Sequence, residues 1–294
     1  MKRILVSGGN GQLGSEINAL QSLFPAYNFD IKNKKELDLA SEESIRNVLS
    51  NTDYSYFINA GAYTAVDKAE SDQSNCYAIN GMALYHICHC LPKGCRLIHI
   101  SSDYVYHNNT TGPIIESSAC NPQGIYAKSK HQGEQFIMNM APQSIILRTS
   151  WVYSSFGNNF VKTMLRLGPS KEKLSIVSDQ TGAPTYAKNI ATAAMKIIDK
   201  LENKGSENNE FGIYNFTDSG QTTWADFARH IFASQNIQCH VEDISTESYG
   251  AAAPRPIWSV LSLDKIRRDY NIKTTPWTES LSDCLKLIES SYKD

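Results

Sequence analysis

Gly8-Gly9-Asn10-Gly11-Gln12-Leu13-Gly14 follows directly on the apolar run Arg3 to Ser7 and leads into a segment of helical periodicity that begins near Gln12. A strand that turns sharply into a helix, with unpaired helix N–H groups facing a pyrophosphate, leaves no room for side chains where backbone and ligand meet. Glycine at positions 8, 11 and 14 answers that need. The spacing is GxxGxxG rather than the GxGxxG of the common dinucleotide fingerprint. An ordinary strand-to-helix turn is the competing reading, and the N-terminal placement favours the cofactor turn.

Outward from that turn, strand-length apolar runs alternate with helical segments through the first half of the chain. Expected strands are Arg3 to Ser7, Tyr27 to Ile31, Tyr54 to Ile58, Arg96 to Ser101 and Ser144 to Thr149. Such alternation predicts an α/β fold, a Rossmann-type doubly wound parallel sheet covered on both faces. After Thr149 the pattern loosens, with punctuation at Gly168-Pro169, Gly182-Ala183-Pro184 and Ala253 to Pro256. The expected division is a dinucleotide-binding domain over 1–150 and a smaller, mainly substrate-binding lobe over 151–294, some of whose segments return to the sheet. Glu202 to Glu210 reads as a solvated loop before a further strand, Gly212 to Phe216.

The chain has 294 residues, 41% hydrophobic and 20% charged, with net charge −2, which argues against disorder and against a strongly basic nucleic-acid surface. Seven irregularly spaced cysteines read as reduced thiols in a cytoplasm. The apolar run after Lys2-Arg3 stops too early for an export signal, and no stretch approaches the length of a membrane span. A small-molecule substrate, no nucleic acid, no membrane, and a monomer or homodimer are expected. His86-Ile87-Cys88-His89-Cys90 with Cys95 nearby suits a crossover helix packed on the sheet better than a metal site, and no metal is assigned. Met138 and Met140 read as core.

Chemistry enters at the end of the fourth strand, Ser101-Ser102-Asp103-Tyr104, the sheet edge at which open α/β folds bind ligands. Tyr126 and Lys130 follow, four apart and so on one face of a helix. Ketone reduction needs a proton for the oxygen as hydride reaches the carbon, and a phenol with pKa of about 10 needs tuning for that work. Tyr126 is assigned as proton donor, Lys130 as the cation that lowers its pKa and holds a nicotinamide ribose, and Ser102 as the hydroxyl that steadies the carbonyl. Asp30 closes the second strand, where a carboxylate can bond the ribose 2′-OH of NADH. Lys32, Lys34 and Lys35 suit the 2′-phosphate of NADPH equally, and both cofactors stay open.

The glycine spacing is that of short-chain dehydrogenases, and longer motifs make the chain resemble the dTDP-4-dehydrorhamnose reductase family over most of its length. They include GGNGQLGSE from Gly8, NAGAYTAVDKAE from Asn59, SSDYVY from Ser101, YAKSKHQGE from Tyr126, RTSWVY from Arg148, DQTGAPT from Asp179 and RPIWSVL from Arg255. The resemblance implies reduction of the 4-keto group of a dTDP-linked 6-deoxy-L-sugar. It implies Gly11, Gln12 and Leu13 at the pyrophosphate, Asp38 and Leu39 beside the adenine, and Ala62, Tyr63 and Thr64 along the cofactor. It places Thr64, Val66, Ser102, Asp103, Tyr104 and Trp151 at the sugar nucleotide. Arg255 suits the diphosphate, or an ion pair between lobes. Ala127 stands where the family often has glycine, and His107-Asn108 where it often has an Asp-Gly or Pro-Gly pair. Glu16 matches a glutamate that binds magnesium at a dimer interface in some members, but Lys188 replaces another, and a cation there repels the metal. Two alternatives stand beside the reductase: another sugar-nucleotide epimerase or dehydratase, and a non-catalytic regulatory subunit like that of methionine adenosyltransferase. Tyr104 after Asp103 argues against a 4,6-dehydratase, which carries a second acid there.

Overall fold

The computed structural model describes residues 1–50, 52–107, 112–203 and 211–290. Its centre is a six-stranded, all-parallel sheet. The strands are β1 (Lys2–Ser7), β2 (Tyr27–Ile31), β3 (Tyr56–Asn59), β4 (Arg96–Ser102), β5 (Ile145–Thr149) and a sixth, Gly212–Asn215. From one edge the order runs Gly212–Asn215, β5, β4, β3, β1, β2.

Alternation along each strand sorts side chains to two faces. Ile4, Val6, Tyr56, Ile58, Ile98 and Leu147 join one core cluster with residues of α1 (Gln12–Leu20) and of the helix Ala187–Asn203. Leu5, Phe57, Leu97 and Ile146 join the other, under helices Glu42–Ser50, Ala83–Cys90 and Gly124–Met140. Both faces are apolar, as a parallel sheet flanked by helices demands. The chain order reverses between β1 and β3, so the loops after these strands part there and open a crevice at the carboxyl edge.

Beyond Ser150 the chain builds short strand pairs, Lys173–Val177 with His240–Ile244 and Val152–Tyr153 with Thr185–Tyr186. A separate cluster of Tyr153, Val161, Met164, Phe227, Ile231, Leu281 and Leu285 fills them. The helix Ala187–Asn203 and the strand Gly212–Asn215 return to the main sheet.

Three expectations need correction. The third strand begins at Tyr56 rather than Tyr54, because Thr52 O accepts the Tyr54 N–H in a turn. Met138 and Met140 are exposed, and Ile137 is the last residue of their helix in the core cluster. Glu202 and Asn203 belong to the last turn of the helix Ala187–Asn203, where Glu202 accepts from the Tyr56 hydroxyl, while 204–210 of the expected loop lie outside the described residues. No helix among the described residues is long and apolar enough to cross a membrane.

Candidate active site

The crevice is a cavity of about 640 Å³ whose lining includes Gly8, Gly11, Gln12 and Leu13 from the first turn and Ala62, Thr64 and Val66 after β3. Ser102, Asp103, Tyr104, Tyr126, Lys130 and Trp151 line it as well. Backbone crowding explains the glycines. Gly8 has φ +70°, and a Cβ there would sit 2.8 Å from Gly61 Cα. A Cβ on Gly14 would fall 2.2 Å from the Gly8 carbonyl oxygen, so Gly14 lets α1 pack against the turn rather than facing the cavity. Gly11 caps α1 with no side-chain bond, and the helix N-terminus is left free for an anion.

Ser102 ends β4, accepts from Tyr104 N at 3.3 Å and donates to Asp103 Oδ1 at 3.1 Å. The Tyr126 ring stands edge-on to Tyr104, with centroids 5.5 Å apart. Lys130, one turn on and 2% exposed, donates to the Ile100 carbonyl at 2.6 Å and faces His99 Nε2 at 3.2 Å. Behind His99 the Asn59 amide lies 3.1 Å from Nδ1, and Ser7 Oγ donates to Asn59 Oδ1 at 2.6 Å. A buried polar chain thus joins Lys130 to the strand that ends in the glycine turn. Trp151 holds a left-handed backbone, φ +48°, and its indole stacks on Trp224 at 3.7 Å. A strained backbone at a cavity wall is tolerated where position matters more than local stability.

Other expected residues stand apart from this lining. Asp30 accepts from the Tyr54 hydroxyl at 2.5 Å and pairs with Lys32 at 3.0 Å, so its carboxylate is engaged. Arg255 donates to both oxygens of Asp67, at 3.0 and 2.7 Å, which makes it an ion pair between the two halves of the chain. The Tyr63 hydroxyl donates to Asp72, Asp38 Oδ1 accepts from Ala40 N, and Leu39 is buried against Gly61. Glu16 is buried and accepts from Ser154 Oγ at 2.6 Å, facing inward.

The RmlD substrate binding domain family matches residues 1–290. The chain is 36% identical to the spore coat polysaccharide biosynthesis protein SpsK of Bacillus subtilis, over 97% of this chain and 98% of that one. It is 34% identical to a dTDP-4-dehydrorhamnose reductase of Aggregatibacter actinomycetemcomitans, over 96% and 98%. Among solved structures it resembles the dTDP-4-dehydrorhamnose reductase of Bacillus anthracis in complex with NADP, with TM-score 0.89, 34% identity and coverage of 98% and 100%. The chain belongs to the RmlD family.

In this RmlD-family site burial dominates the electrostatics. It pushes the Tyr126 phenol up to about 12 against the pull of the Ser102 hydrogen bond, and draws Lys130 down to about 8. The Lys130 ammonium is turned to His99 and Ile100. His99 is held well below its ordinary value by burial and by the Lys130 charge, so the ring is neutral. Asp103 is raised to about 7 by burial, with Oδ2 unpartnered.

Sequence reasoning passed over His99, Asn59 and the clamp Asn159–Gln12, in which Asn159 Nδ2 donates to Gln12 Oε1 at 3.0 Å. It also passed over Asn80, whose side chain bonds both the N–H and the carbonyl of Tyr63. The GNN triplet at Gly157, Asn158 and Asn159, all lining the cavity, was the available signal for the clamp. Nothing local marks His99, a histidine in an apolar strand.

Proposed function

We propose that this chain reduces the 4-keto group of a dTDP-4-dehydro-6-deoxy-L-sugar, converting dTDP-4-dehydrorhamnose to dTDP-L-rhamnose in the cytoplasm. The observation that carries it is convergence: Ser102, Tyr126 and Lys130 open on the same cavity as the glycine turn, together with Asp103, Tyr104 and Trp151. The free N-terminus of α1 and the crowded glycines suit a dinucleotide pyrophosphate. A bound NADPH or NADH supplies the hydride. Asp30 is engaged, while Lys34 and Lys35 are exposed, which favours NADPH.

In this reading Tyr126, protonated at neutral pH, gives its proton to the sugar oxygen as the carbon is reduced. Ser102 Oγ holds that oxygen. Lys130 spends two N–H groups on Ile100 and His99 and has the third for the nicotinamide ribose. Trp151 offers a flat apolar face to the sugar ring.

The test supplies purified protein with NADPH or NADH, dTDP-4-keto-6-deoxyglucose and a 3,5-epimerase, and follows loss of reduced-nicotinamide absorbance. Turnover by the wild type, with loss of about 10²-fold or more in Tyr126→Phe, is expected. Turnover without the epimerase would point to another keto sugar, a reading the likeness to SpsK keeps in view. Cofactor binding with no turnover on any keto sugar would instead favour the regulatory subunit.

A further inference from the structure

Cys120, half-exposed in the loop before the helix Gly124–Met140, has an unusual setting. Its Sγ accepts from Arg148 Nη2 at 3.3 Å. Arg148 is 2% exposed, donates through Nε and Nη2 to both oxygens of Glu134 at 2.9 and 2.6 Å, and is covered by the Tyr106 ring. Its remaining nitrogen, Nη1, is buried with no hydrogen-bond partner, and His131 Nδ1, also buried, faces Glu134 Oε2 at 3.6 Å, beyond hydrogen-bond reach. Ligand atoms of Cys120, His131 and Glu134 lie within 4.8 Å of one another. A planar guanidinium presents Nη1 and Nη2 as a parallel fork, so the sulfur on Nη2 has an unused donor beside it. Unpaired buried donors are costly, and an oxygen attached to that sulfur would fill them.

A metal ion fits these three residues poorly, because Arg148 already holds both Glu134 oxygens and its charge repels a cation. We propose that Cys120 is a thiol-oxidation site, where a hydroperoxide forms a sulfenate bound by the Arg148 fork and the His131 imidazole. The thiolate sulfur attacks one peroxide oxygen: an S–O bond forms, the O–O bond breaks, and sulfur gives up two electrons. The other oxygen leaves with that electron pair and takes a proton from water, while the sulfenic acid releases its own proton to become sulfenate. The Cys120 sulfur and Glu134 push the His131 pKa up to about 9, so the imidazolium offers its N–H at neutral pH.

Five of the other six thiols are less suited, and Cys90, of intermediate exposure like Cys120, is the internal comparison. Cys76, Cys95 and Cys284 are buried, and burial pushes the thiol of Cys88 up to about 12 and raises that of Cys239.

The test treats the full chain with hydrogen peroxide, traps sulfenic acid with dimedone and maps it by peptide mass spectrometry. Labelling at Cys120 is expected about tenfold or more faster than at Cys90 or Cys239, and absent from Cys120 in Cys120→Ser. His131→Asn, with an unchanged melting temperature, should slow it about tenfold. Equal labelling at Cys90 or Cys239, or an unslowed His131→Asn variant, would overturn the proposal. So would protection of Cys120 by stoichiometric zinc, which would make the cluster a metal site.

Discussion

Asp103 sits 3% exposed at the end of β4, and burial raises its pKa to about 7, whereas an unfolded aspartate titrates near 3.9. Between those values the native chain keeps a proton that the unfolded chain has released, so stability falls as pH rises from about 4 to 7. Asp103→Asn removes that contribution. Denaturation curves at the two ends of the window should show the variant losing less stability than wild type, by a difference of up to about 4 kcal/mol at about 1.4 per pKa unit. His99 acts through Lys130 in a different way. In His99→Leu the buried ammonium loses an acceptor, so, with Lys130 in the role proposed above, the alkaline limb of kcat/KM should move about one unit to lower pH. A rate loss equal at every pH would mean that His99 is merely structural. Neither effect is visible in a list of residue types, since both come from what surrounds the group.

At the scale of elements, β1, the glycine turn and α1 form one unit held by backbone contact. Gly14→Ala places a methyl group 2.2 Å from the Gly8 carbonyl oxygen and 2.7 Å from Gly9 Cα, all backbone, so α1 or the turn must shift. A stability loss of about 1–3 kcal/mol in thermal unfolding, together with weakened NADPH binding by fluorescence titration, is expected. The helix Gly124–Met140 is tied to β5 by the buried pair Glu134 and Arg148. Glu134→Gln strands a buried guanidinium and should cost about 3–5 kcal/mol in chemical denaturation. The Rossmann unit was legible because its signals are local: an apolar run, glycines at fixed spacing and helical periodicity. The exposure of Met138 and Met140 was not, because which residues of a helix's last turn meet the core depends on packing. The widened turn Ala78–Met82, which aims Asn80 at Tyr63, likewise has no signature in its residue types.

For the whole molecule, the contact between the two halves of the chain shapes the cavity. Asn159 caps the helix Phe160–Leu167 through Lys162 N and reaches back to Gln12 in the glycine turn. Asn159→Ala should cost about 1 kcal/mol as a lost cap and raise the KM for the cofactor, with kcat at saturation less affected. By itself the sequence determined the βαβ order, the glycine turn and the succession Ser102, Tyr126, Lys130, because these rest on spacing along the chain and on the short-range geometry of strands and helices. Only the tertiary structure decided that Asp30 is spent on Tyr54, Arg255 on Asp67, Lys130 on His99 and Gln12 on Asn159, pairs 24, 188, 31 and 147 residues apart. A charged or amide side chain has several chemically suitable partners in any sequence of this length. Which one it meets is set by how the layers pack and by the cost of leaving a buried polar group unpaired.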